Sequence, residues 1–147
     1  MMRIAMLTAL LVLSLGRARA DGHVYAPYPA LYVQECASCH VAFPPELMSA
    51  QGWRNLIAQL DRHFGIDASL DTRTRDAIAG FLAARASTRD KHAATEPTAR
   101  ITKTSWFVRE HRKAGPATTS FADCGACHAN ADQADYSERG RGHGRRH

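Results

Sequence analysis

Methionine, long apolar runs and strand-like alternation are scarce in this chain of 147 residues. Three of its four methionines (Met1, Met2 and Met6) lie at the very start, and beyond residue 20 only Met48 remains. Thioether ligation of a metal by methionine is thereby confined to one position. After Leu15 no segment stays apolar for the ~20 residues that a membrane-spanning helix needs, which excludes an integral membrane body beyond the leader. No stretch alternates polar and apolar residues with period two, so neither a sheet nor the βαβ setting of a thioredoxin-like redox site is expected. Cysteine is limited to four residues.

The first twenty residues, MMRIAMLTALLVLSLGRARA, combine an early Arg3, an apolar run from Ile4 to Leu15 and a small-residue ending at Ala20. That is the pattern of a secretory signal peptide cleaved after Ala20, which exports the mature chain, Asp21 to His147, to an oxidising compartment, an uncleaved membrane anchor being the alternative. The leader holds three of the nineteen basic residues and none of the fourteen acidic ones, which leaves sixteen against fourteen and a net charge of +2. Four arginines of that remainder sit in the last nine residues, RGRGHGRRH. This basic tail (139–147) is expected to be disordered, and no aromatic or base-reading pattern accompanies it, so nucleic acid is not an expected partner.

All four cysteines fall in two hexapeptides of one design, ECASCH (35–40) and DCGACH (123–128). Cys36 pairs with Cys39 and Cys124 with Cys127, each pair followed directly by a histidine, His40 or His128. This is the attachment signature of c-type haem: two thiols form thioethers to the porphyrin and the next imidazole binds the iron. One turn of helix brings both thiols to the same side of the backbone, facing the porphyrin edge. Four cysteinate sulfurs around zinc would leave both histidines without a role. The expected cofactors are two covalently bound haem c groups.

Each iron has a sixth position, and what fills it separates electron carriers from oxygen or peroxide chemistry. Met48 follows His40 by only eight residues, a short path around a porphyrin to its opposite face. Histidines are the better candidates. His23, His92, His143 and His147 lie in polar or terminal surroundings and are expected in solvent. His63 instead shares the three-and-four spacing of Trp53, Leu56, Ile57, Leu60 and Phe64, one face of a helix entered at Pro44-Pro45 and ended by Gly65. His111 follows Phe107 by four on a shorter helix, TSWFVREHRK, capped by Thr104 or Ser105 and stopped by Gly115-Pro116. Shorter loops favour the pairings His40 with His63 and His128 with His111, the crossed arrangement being the alternative.

A third helix is expected after Asp71 as N-cap, with Leu70 as its apolar staple and Ile78, Phe81 and Leu82 as its buried face. The pattern predicts a mainly α, cytochrome c-like chain of short helices and long loops. It divides into an N-terminal haem lobe (21–86), a polar linker (87–100) and a C-terminal haem lobe (101–138). Neither lobe has a generous core of its own, so haem must supply the missing apolar volume and the apo-chain is expected to fold poorly. Trp53 and Trp106 read as core residues, with the haem edges as the alternative place for them.

The stretches ECASCHVAFPPELMSAQGWRNLIAQLDRHFGIDASLD, RITKTSWFVREHR and CGACHANADQADYSE resemble the bacterial dihaem cytochrome c family over about residues 33 to 138. Members of that family donate electrons to a monohaem, oxygen-binding c-type cytochrome known as sphaeroides haem protein. The resemblance implies a mostly helical periplasmic electron carrier with two low-spin haems, each between two histidines. Carried onto this chain, attachment falls on Cys36, Cys39, Cys124 and Cys127, and iron ligation on His40, His63, His111 and His128. The Arg-, Gly- and His-rich end from Arg139 departs from the family pattern.

With both faces of each iron occupied, the chain would be a monomeric, low-potential electron carrier rather than an enzyme. Its expected partners are other redox proteins, a monohaem oxygen-binding cytochrome c or a membrane cytochrome b. Up to four ionised haem propionates would move the net charge from +2 to about −2. The rival reading is a haem enzyme or sensor with one open or labile axial site, reducing peroxide or binding O2 or NO.

Overall fold

The computed structural model describes residues 23–25, 27–94, 100–113 and 120–137. The leader, the Gly115-Pro116 helix stop, His143, His147 and the basic tail lie outside the described residues. Four α-helices and six single 3-10 turns make up the described chain, which contains isolated β-bridges and no strand. None of these helices is long and apolar enough to cross a membrane.

Helix α1 (Ala30–Cys36) starts behind Pro29, whose missing N–H costs nothing at a helix entrance, and buries Tyr32. Its last residue is the first cysteine of the first motif. Tyr32 Oη donates to the carbonyl of Phe43 at 2.6 Å, tying the helix to the loop beyond His40.

The prolines Pro44 and Pro45 do not open a helix directly. They form a 3-10 turn (Pro45–Leu47), and α2 (Ala50–Ile57) begins behind Ser49, whose hydroxyl accepts the Gly52 N–H. Trp53 is buried with its indole N–H donated to the Pro45 carbonyl at 2.8 Å, which makes it a core residue with its polar handle satisfied. Met48 is 0 % exposed. Its side chain lies so close to Gly52 that a Cβ there would stand 2.7 Å from Met48 Cγ, so only glycine admits the thioether.

Helix α3 (Thr72–Arg85) has the expected cap: the Asp71 carboxylate accepts the N–H groups of Arg73 and Thr74 at 2.9 and 3.1 Å. Ile78 and Leu82 are both 1 % exposed, and burial of this extent stabilises by about 1.5–3 kcal/mol per side chain. At its end, Arg85 reaches Glu46 at 2.7 Å and the carbonyl of Tyr25, joining three segments. Helix α4 (Ser105–Glu110) is capped by Thr104, which accepts the Phe107 N–H.

These elements share one core. Tyr32, Leu47, Met48, Trp53, Ile57, Ile78 and Leu82 form a single cluster with Ile101 and Phe107 from the far side of the polar stretch. That stretch is itself partly built in, and His92, expected in solvent, is only 6 % exposed. Its carbonyl accepts the Ser49 N–H, its Nδ1 lies 2.7 Å from Ser87 Oγ, and its ring meets Trp106 edge-on at 5.1 Å. The chain's beginning and end also meet: Tyr25 N–H donates to the Ala134 carbonyl and Tyr136 N–H to that of His23.

Candidate functional site

The two motifs adopt different local structures around the same spacing. Cys36 closes α1 and Cys39 follows in a bend, whereas Cys124 opens a 3-10 turn (Cys124–Ala126) with His128 N–H donating back to its carbonyl at 2.8 Å. No two of the four cysteines are joined to each other as a disulfide. Burial, helped by the neighbouring Glu35 carboxylate, pushes the Cys36 thiol up to about 11. Cys124 is raised to about 11 in the same way, with Asp123 as the neighbouring acid. Burial first, and the acid that precedes each motif second, thus favour the protonated first cysteine, the opposite of a thiolate metal ligand or a redox-active thiol.

The four histidines singled out from the sequence come together as two pairs. His40 and His63 have ring centroids 6.2 Å apart with planes at 36°, and His111 and His128 have centroids 6.3 Å apart with planes at 78°. An imidazole nitrogen binds a metal ion at about 2.0–2.1 Å and lies about 1.1 Å from its ring centre, so a metal gripped from both sides sets the centroids roughly 6.3 Å apart. Both pairs have that spacing.

Ring orientation is held through the other nitrogen. His40 Nδ1 donates to the Val41 carbonyl at 2.8 Å and His111 Nδ1 to the Phe107 carbonyl at 2.9 Å, which leaves Nε2 of each for a metal. His40 also stacks on Phe43 (4.7 Å, 23°) and His111 on Phe107 (3.9 Å, 14°). Burial, then the neighbouring His40 and Arg100, hold the pKa of His63 below its ordinary value and so favour the neutral, ligating form.

His63 reaches its place by a route other than the expected one. Helix α2 stops at Ile57 and a 3-10 turn (Leu60–Arg62) follows. His63 then stands at the head of a tight reversal through Phe64 (φ 52°) and Gly65 (φ 98°). The apolar spacing from Trp53 to Phe64 therefore spans two short elements rather than one helical face. His111 is the C-cap of α4, half-buried behind Phe107. The sequence reading placed Phe107 four residues before His111 without the stacking that this allows, and it passed over Phe43, three residues after His40. In each case the signal was an aromatic one helical turn from a histidine.

Among the described residues no group of three or more His, Cys, Asp or Glu side chains could hold a bare metal ion. Two imidazoles facing each other grip a metal only along one axis. The equatorial ligands must then come from a planar macrocycle, and each pair lies beside its own Cys-x-x-Cys. Residues 32–136 match the sequence pattern described as Dihaem cytochrome c.

The chain belongs to the dihaem cytochrome c family. Among solved structures it is similar to diheme cytochrome c from Rhodobacter sphaeroides, at 33% identity over 76% of this chain and 98% of that one, with a TM-score of 0.66. It is also similar to DHC purified from Rhodobacter sphaeroides (35%, covering 74% and 96%, TM-score 0.64). The diheme cytochrome type c from Shewanella baltica OS155 is a third such structure (35%, covering 74% and 86%, TM-score 0.60). No curated protein matches the chain. This dihaem cytochrome carries two covalently bound haem c groups with their iron, and its mainly helical fold is that of the family.

Proposed function

We propose that this dihaem cytochrome is a low-potential electron-transfer protein of the periplasm. Cys36 and Cys39 attach the first haem and Cys124 and Cys127 the second. His40 and His63 hold the first iron, and His128 and His111 the second. The observation that carries this reading is the pair of histidine separations, 6.2 and 6.3 Å, each matched to one metal between two imidazoles.

When bound, haem iron supplies a one-electron ferric–ferrous couple. The protein's part would be to hold each iron between two neutral imidazoles, which would leave no place for a small substrate and give lower potentials than His/Met ligation. The Val41 and Phe107 carbonyls fix the two Nδ1–H groups, so little ligand reorganisation accompanies a change of charge. Electrons are exchanged through small, transient interfaces with redox proteins. The family resemblance favours a monohaem, oxygen-binding cytochrome c as partner, with a membrane cytochrome b as another.

Carbon monoxide added to the reduced protein tests this. The spectrum is expected to stay low-spin in both oxidation states, without rapid change. His63→Ala and His111→Ala are each expected to make one haem high-spin and gas-reactive. Rapid binding to a full equivalent of haem in the unmodified protein would mean an open site and an enzyme or sensor.

A further inference from the structure

Backbone strain collects beside one proposed ligand. Phe64 lies at φ 52° and Gly65 at φ 98°, and the left-handed region costs a phenylalanine what it does not cost a glycine. The reversal is closed by the Ile66 N–H on the His63 carbonyl (3.1 Å) and the Ala68 N–H on that of Leu60 (2.8 Å). Strain of this kind persists only where surrounding contacts determine the conformation. Yet the tip of the turn stands clear of the core, with Phe64 41 % and Ile66 65 % exposed.

Support arrives from the other half of the chain. The guanidinium carbon of Arg100 lies 3.8 Å from the centre of the Phe64 ring, a cation–π contact. The Phe64 ring in turn lies 4.8 Å from that of His63. Arg100 hangs from fixed backbone: its carbonyl accepts the Lys103 N–H at 3.0 Å, and the next residue, Ile101, is buried in the core. An anchored cation, the aromatic tip of a strained turn and the histidine below it thus form one line of contact.

We propose that Arg100 is a positioning residue for the first haem, holding the His63 turn in its ligating place through Phe64 and setting a fixed positive charge beside that iron. The inference rests on the reading that His63 binds iron. A cation there opposes the additional charge of the ferric state and so raises the reduction potential.

Three variants of the full-length holoprotein separate the two roles. Arg100→Gln should let the reduced first haem bind carbon monoxide and should shift its one-electron equilibrium toward ferric by about threefold to tenfold, tenfold being 59 mV. Arg100→Lys, which keeps a cation over the ring, should restore both properties. Phe64→Leu, which keeps the cation, should open the site to carbon monoxide without the shift toward ferric. If Arg100→Gln remains inert to carbon monoxide, the positioning role is overturned, whatever the potential does. An unchanged potential would overturn the role of the charge. Carbon monoxide binding by the unmodified protein would instead strike at the two-imidazole reading, so the two failures are distinguishable.

Discussion

At the scale of single residues, the histidine pairs differ in a way that an experiment can read. If each pair holds one iron through Nε2, as proposed, both rings contain the iron–nitrogen axis in their planes and the angle between them would be the twist about that axis. It is 36° for His40 and His63 and 78° for His111 and His128. Near-parallel imidazoles separate the two iron d orbitals that interact with them, whereas near-perpendicular ones leave those orbitals almost equal in energy. The ferric protein is therefore expected to give two low-spin electron paramagnetic resonance signals in equal amount. One should be rhombic, from the first haem, and the other strongly anisotropic with a large maximal g value, from the second. His111→Ala should remove the second signal alone, and two rhombic signals would contradict the 78° twist. The two Cys-x-x-Cys-His motifs were legible in the sequence because their signature is a spacing within six residues. The twist was not, because it depends on Phe107 stacking on His111 and on Phe43 stacking on His40, contacts that spacing allows without requiring.

At the scale of elements, caps were legible and interruptions were not. Asp71 and Thr104 cap α3 and α4 as their sequences imply, since a cap is a hydrogen bond to a backbone N–H two or three residues on. The continuous helix read from Trp53 to Phe64 breaks after Ile57 instead. The three-and-four spacing that suggested it crosses a 3-10 turn (Leu60–Arg62) and ends in a positive-φ reversal, where Phe64 is exposed. After Ile57 the backbone pairing tightens instead of continuing as α-helix: the Gln59 N–H donates to the Leu56 carbonyl and the Arg62 N–H to that of Gln59, three residues back in each case. Helix α2 also depends on a residue with no side chain. A Cβ on Gly52 would meet Met48 Cγ at 2.7 Å and the Ala94 Cβ at 3.0 Å, and none of these groups is at a free, flexible end. Overpacking of this kind costs about 1–3 kcal/mol, more than the helix propensity gained from alanine. Gly52→Ala is thus expected to lower the thermal midpoint of the holoprotein while leaving both low-spin spectra unchanged. A more stable variant would show that the core around Met48 is looser than these distances imply.

At the scale of the whole molecule, two lobes and a polar linker describe the composition but not the packing. Ile101 and Phe107 belong to the same cluster as Trp53 and Leu82, and the Tyr25 N–H is paired with Ala134, more than a hundred residues away. Such pairings between distant residues leave no periodic trace. His92 shows this most clearly: among Ser87, Arg89, Asp90 and Lys91 it reads as solvated, yet it fills the seam between Ser49, Ser87 and Trp106. Its burial has a consequence for the entire fold. Desolvation lowers the pKa of His92 below its ordinary value of 6.5, with Lys91, Arg89 and Arg109 acting in the same direction and a Glu46 backbone hydrogen bond opposing them. The unfolded chain then binds the proton more readily than the folded one. Stability is complete above about pH 6.5 and falls as the pH drops toward the lowered native pKa, with a slope of at most ~1.4 kcal/mol per pH unit for one proton. His92→Asn, which can keep a bond to Ser87 but cannot take up a proton, should be less stable near neutrality because it leaves a cavity, and its stability should fall less steeply toward acid. Chemical denaturation of the two holoproteins between pH 7.5 and about pH 5 measures both slopes. If the slopes are equal, His92 carries no part of the acid sensitivity.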